Sequence, residues 1–102
     1  MHKNMEIVRF NLVSETSTEE FLRANEEVER WVRRQAGFSS RHLCLDAAGR
    51  WTDIVLWNSE QCAKQAADQF IKDLNGTAFM RMIDFSTVEM THQTVLVHCL
   101  NT

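Results

Sequence analysis

The stretch RWTDIVLWNSEQ, Arg50 to Gln61, reads as a strand that runs directly into a helix. Trp51, Asp53, Val55 and Trp57 alternate along it with Thr52, Ile54 and Leu56, so the two sets point to opposite faces of a sheet. The second set is ordinary core; the first holds an acid between two indoles. Upstream, FSSRHLCLD (38–46) reads as another strand and AAGR as a tight turn, which makes the pair a hairpin. In that hairpin Asp46 is expected opposite Trp51, Cys44 opposite Asp53 and His42 opposite Val55.

Further out, MEIVRFNLV (5–13) is rich in β-formers and predicts the first strand. Ser17 with Glu20 forms a capping box for a helix to about Gln35, striped by Phe21, Ala24, Val28, Trp31 and Val32. Its charges favour the helix dipole, and Glu19–Arg23, Glu26–Arg30 and Glu29–Arg33 are spaced as i,i+4 pairs on a solvated face. Gly37 stands where a left-handed C-terminal residue belongs. Ser59 caps a second helix whose alanines, Ala63, Ala66 and Ala67, let it lie close on a sheet; Asn75-Gly76 ends it. Residues 77–83 predict one or two helical turns, and a last strand runs from Phe85 through Met90 or beyond. The apolar tail VLVHCL (95–100) is expected to add a strand or to pack on a partner subunit.

The composition narrows the class. With 102 residues, 44% hydrophobic and 25% charged, the chain is expected to be a single domain spanning 1–102. A net charge of −3 argues against nucleic-acid binding, which calls for a basic face. No apolar run nears the roughly 20 residues that span a membrane, and no signal peptide is visible. Cys44, Cys62 and Cys99 lack metal-like spacing and suit reduced thiols in a cytoplasmic protein. A metal site would need three or four converging donors, and none is spaced for it.

The order βαββαβ matches a ferredoxin-like α+β arrangement, with both helices on one side of a four-stranded antiparallel sheet. Val8, Phe10, Leu12, Leu43, Leu45, Ile54, Leu56, Val88 and Met90 are expected beneath the helices. The opposite face then collects Arg9, Asn11, His42, Trp51, Asp53, Trp57 and Glu89. That face is too apolar for free solvation, so a second copy of the chain is expected to cover it, giving a homodimer.

With STEEFLRANEEVERWVRRQAGFSSRHL, GRWTDIVLWNSEQCAKQA and FMRMIDFSTVEM in this order, the chain resembles antibiotic-biosynthesis-monooxygenase-like domains of the dimeric α+β barrel superfamily. The likeness extends over roughly Glu6 to Met90. It implies a homodimer enclosing small cavities and, in some members, oxidation of polyketide-type phenols without metal or flavin. Asn11 and Trp57 match an Asn and a Trp of the haem-opening branch. That branch also has an axial His on its second helix, and SEQCAKQAADQF contains none.

The candidate chemistry follows from the expected face. His42 and Asp53 would be diagonal neighbours, a His held by a carboxylate and so a general base near neutral pH. Trp51 and Trp57 would wall a cavity for a small hydrophobic or aromatic ligand, with Arg9 and Asn11 orienting it. The alternatives are structural: Asp53 neutralising His42 or a partner residue, the tryptophans as interface anchors, and Arg9–Glu89 as a cross-strand bridge. No cofactor is expected. The function expected is either cofactor-independent oxygenation of a small aromatic or polyketide-like compound, or a non-catalytic ligand-binding or structural dimer.

Overall fold

A short turn fixes which way the central hairpin faces. In the computed structural model, which describes residues 1–101, the chain forms β1 (Asn4–Leu12), α1 (Thr18–Arg33), β2 (Phe38–Leu45), β3 (Trp51–Trp57), α2 (Glu60–Leu74), α3 (Ala78–Met82) and β4 (Ile83–Thr94). The strands make one antiparallel sheet in the order β2-β3-β1-β4. This is the expected ferredoxin-like α+β arrangement, with β1 and β4 adjacent.

The caps form as read. The Glu20 N–H donates to Ser17 Oγ at 3.1 Å and the Ser17 N–H to Glu20 Oε1 at 3.3 Å. Cys62 N–H donates to Ser59 Oγ, and Met80 N–H to Thr77 Oγ1, opening α2 and α3. Gly37 has φ +79°, and a Cβ there would collide with Cys62 Sγ where α2 begins. Of the three expected pairs on α1, only Glu29–Arg33 closes, at 3.5 Å, among the described residues. Exposed pairs gain little against the entropy of holding two long side chains.

The hairpin register differs from expectation by one residue. Asp46 Oδ1 accepts from the N–H groups of Ala48 and Arg50, and the Asp46 N–H donates to the Arg50 carbonyl at 3.0 Å. The loop is therefore Ala47-Ala48-Gly49, with Gly49 left-handed at φ +86°. Leu45 then opposes Trp51, Leu43 opposes Asp53 and Arg41 opposes Val55. A one-residue slip sends every side chain to the other face. Trp51, Asp53, Val55 and Trp57 consequently lie beneath the helices, while Ile54 and Leu56 lie on the open face, the reverse of the expected assignment. The indoles are 4% and 2% exposed.

Beneath the helices, Val8, Phe10 and Leu12 meet these residues as expected. Phe21 of α1 centres the aromatic core, with ring centroids 5.7 Å from Phe10, 4.8 Å from Trp51 and 4.7 Å from Phe79. Ala63 and Ala66 bring α2 close to the sheet. Trp31 stands edge-on to Phe70 and donates its indole N–H to Asp73 at 2.9 Å, tying α1 to α2. That hydrogen bond, followed by one from Gln69, holds the Asp73 carboxyl below the usual aspartate range. The tail adds no strand to the sheet: Val95 N–H reaches the Lys3 carbonyl, and Leu96, Val97 and Leu100 are exposed.

Candidate functional site

A cavity of about 170 Å³ opens between the helices and the sheet. Val8, Val55 and Trp57 wall it from the sheet, and Trp31, Ala66 and Phe70 from the helices. Its mouth lies between α2 and the edge strand β4, where the lining residues Ile71, Phe85 and Met90 are exposed. Two ionic pairs reach the cavity from neighbouring strands.

The first is Arg41–Asp53. Arg41 Nε donates to Asp53 Oδ1 at 2.9 Å and Nη2 to Oδ2 at 2.8 Å, a bidentate pair. Its Nη1 donates to Asn25 of α1 at 2.6 Å. The side chains are 8% and 15% exposed. Arg41 also borders a shallower polar groove of about 300 Å³ between α1 and β2, so it stands as a wall between two voids.

The second is Glu6–His92. Glu6 faces the cavity, and its Oε2 lies 3.0 Å from His92 Nε2 on β4. Burial raises the Glu6 carboxyl above the usual glutamate range; the contact with His92 opposes this, and the nearby Asp53 charge adds to it. In the window between the ordinary glutamate value and the higher folded one, the folded chain retains more of the Glu6 proton than the unfolded chain does, and above it Glu6 is ionised in both. Stability contributed this way is full below about pH 4, the ordinary glutamate value, and falls as pH rises through the higher folded value. Glu6→Gln removes that loss. Its melting temperature relative to the parent is expected to rise between pH 4 and 7.5 in circular dichroism melts; a pH-independent difference contradicts the argument.

The third polar group is the indole N–H of Trp57, buried with no hydrogen-bond partner among the described residues. Buried donors are nearly always paired, so this one stands out on a residue that also lines the cavity. Asn4, opposite Trp57 across the β1–β3 ladder, likewise has a buried, unpartnered Oδ1.

The sequence-derived candidates divide by face. Asp53 and Trp57 are on the cavity wall, and Trp51 is buried against Phe21 outside it. His42 pairs with Ile54 on the opposite face and is exposed, so the expected His42–Asp53 dyad does not form. Arg41, one residue earlier, occupies that role because of the hairpin slip. Arg9 does oppose Glu89 in register, but Glu89 pairs with Arg50 instead. Arg50 also donates to Asn11 Oδ1 at 3.3 Å, so these polar residues form an exposed network away from the cavity. Sequence reading missed Arg41, Glu6 and His92. The signal for Arg41 was the Asp46…Gly49 spacing that sets the turn; Glu6 and His92 are 86 residues apart and carried none.

Among the described residues no group of three or more His, Cys, Asp or Glu side chains is arranged to hold a metal ion. No helix among them is long and apolar enough to cross a membrane.

No protein-family model matches the sequence, and no curated protein matches it. Solved structures do. A variant of SnoaB, a cofactor-independent oxygenase from Streptomyces nogalater, superposes with a TM-score of 0.75 at 17% identity, over 96% of this chain and 97% of that one. A dimeric ferredoxin-like protein from an uncultured marine organism gives 0.75 at 12% identity, over 100% and 95%. The ActVA-Orf6 monooxygenase of Streptomyces coelicolor, in complex with nanaomycin D, gives 0.69 at 18% identity, over 99% and 94%. At these identities the likeness is one of fold. The chain has the ferredoxin-like α+β fold that these solved structures share, among them one described as a "putative antibiotic biosynthesis monooxygenase" from Nitrosomonas europaea.

Proposed function

We propose that the protein binds a small aromatic or polyketide-like compound beneath its helices and oxidises it with dioxygen, without metal or flavin. The observation that carries this reading is the cavity itself. At about 170 Å³ it is close to the roughly 150 Å³ void that admits benzene, so it takes one aromatic ring while the rest of a fused molecule lies in the mouth. SnoaB, described as a cofactor-independent oxygenase, and ActVA-Orf6, described as a monooxygenase and solved with nanaomycin D, support it.

The chemistry suits the walls. Ionising a phenol or enol makes the ring electron-rich enough to react with dioxygen directly. A methylene flanking the ring then becomes a carbonyl: one oxygen atom stays on carbon, the other leaves as water with both hydrogens, and the substrate supplies all four electrons. Trp57 N–H, left without a partner by the fold, donates to an oxygen of the ligand as negative charge develops there, and the Arg41–Asp53 pair fixes the wall beside it.

The same reading includes a homodimer closed through the open sheet face, where Met5, Ile7 and Ile54 form a half-buried apolar centre beside the already buried Leu56. The marine neighbour is described as dimeric. Light scattering on the purified protein is expected to give twice the chain mass; a monomer at working concentration removes this part. Three free thiols suit a cytoplasmic setting.

Binding is read by quenching of Trp31 and Trp57 fluorescence with single-ring phenols. Ala67→Phe, which fills the cavity from α2, is expected to weaken binding at least about tenfold, or about 1.4 kcal/mol. Turnover is read as oxygen uptake with 1,8-dihydroxyanthrone in the presence of a chelator, with label from ¹⁸O₂ entering the product. Binding without uptake overturns the enzymatic reading and leaves a ligand-binding dimer; quenching indifferent to Ala67→Phe overturns the cavity as the site.

A further inference from the structure

We propose that Glu6 accepts the proton of an acidic hydroxyl on the bound compound and that His92 passes this proton to solvent. The inference deepens the reading above and rests on it. Of the two carboxylates on the cavity, Asp53 has both oxygens engaged by Arg41. Glu6 has a single side-chain partner, His92 at its Oε2, so among the described residues Oε1 is the carboxylate oxygen on the cavity left open to a ligand. The pair also spans the protein boundary, with side chains 13% exposed at Glu6 and 33% at His92. The inner group meets the ligand and the outer one meets water.

The register sets the spacing. Glu6 opposes Val55, which makes it a diagonal neighbour of Trp57 on the same face, about 7–8 Å away along the sheet. Both residues line the one cavity, so a single ligand can meet Glu6 and Trp57 together. The ligand therefore carries an acidic hydroxyl on one side and an acceptor oxygen on the other.

The surrounding charge selects its ionic form. Facing Glu6 are His92 from β4 and Asp53 from β3, with Arg41 from β2 already paired to Asp53. The residues that α1, α2 and α3 place on the cavity are apolar; Glu60 of α2 acts on His92 from outside. Asp53 and Arg41 offset one another, which leaves the Glu6 carboxylate to repel an aryl carboxylate, so the site takes neutral phenols and enols.

In the step, the ligand O–H bond breaks, its electron pair stays on the ligand oxygen, and a new O–H bond forms at Glu6. With the ring proton of neutral His92 on Nδ1, Nε2 takes the proton as the carboxyl group turns it from Oε1 to the Oε2 side, and the imidazolium releases its Nδ1 proton to water. Burial brings the Glu6 carboxyl closer in acidity to the hydroxyl it serves, as an efficient general base requires.

The test uses 4-nitrophenol, whose absorbance separates phenol from phenolate, beside 4-nitroanisole, which has the same ring and no proton to give, and 4-nitrobenzoate. Affinities are measured from pH 5 to 8 for the parent, Glu6→Gln and His92→Gln. The parent is expected to prefer the phenol over the anisole at least about tenfold, to shift the bound chromophore toward phenolate, and to bind the benzoate weakest. Glu6→Gln removes the preference while the anisole still binds. In His92→Gln the acid-side loss of the preference moves to higher pH, since Glu6 loses the contact that holds its carboxyl down. An unchanged preference in Glu6→Gln, or an unmoved acid limb in His92→Gln, overturns the proposal with the cavity reading intact. A parent that binds neither phenol nor anisole overturns the cavity reading as well.

Discussion

Arg41→Ala is expected to lower the free energy of unfolding by about 3–5 kcal/mol, the cost of leaving one member of a buried ion pair uncompensated. Asp53 is 15% exposed and takes both its strong hydrogen bonds from Arg41, so truncation strands a carboxylate beneath α1. It also frees Asn25 Oδ1 and opens the wall between the cavity and the groove beside β2. For a chain of this size each kcal/mol is worth about 4–8 °C, so the melting temperature is expected to fall by well over 10 °C. The double variant Arg41→Met, Asp53→Leu should recover most of the loss, because apolar replacement of a buried pair is often neutral or stabilising. Urea titrations of the three proteins decide the matter. A single variant within about 1 kcal/mol of the parent would mean that water already solvates Asp53.

Phe21→Ala is the second large effect, at about 3–5 kcal/mol. The ring is fully buried and touches three other aromatic rings from β1, β3 and α3, so its loss leaves a void that rigid neighbours cannot fill. Phe85→Ala is the internal control. That ring is 57% exposed at the cavity mouth, and its removal should change stability by no more than about 0.5 kcal/mol. Equal effects of the two would contradict the placement of the aromatic core.

The elements were legible because their signals are local. Ser17 with Glu20, Ser59, Gly37 and Asn75-Gly76 each act within a few residues, through hydrogen bonds or permitted backbone angles. Apolar periodicity likewise marked Phe21, Val28, Trp31 and Val32 as one buried stripe. The candidate site was legible only where a residue's own face mattered little. Trp57 and Asp53 were singled out for the chemistry of indole and carboxylate, and both reach the cavity although their face was assigned in reverse. His42 was singled out for its neighbours, and those changed.

What the sequence determined by itself is the order of strands and helices, their caps and the one-sided burial that makes this an α+β layer. Tertiary structure decided which face of β3 meets the helices. The alternation of Trp51 to Trp57 offers two apolar faces, and the choice passes to the Asp46 side chain, which captures Ala48 and Arg50 and shifts the pairing by one residue. It also decided the two ionic pairs, Arg41 with Asp53 and Glu6 with His92. Each joins residues on different strands, and a partner across a sheet depends on register, which no single strand encodes.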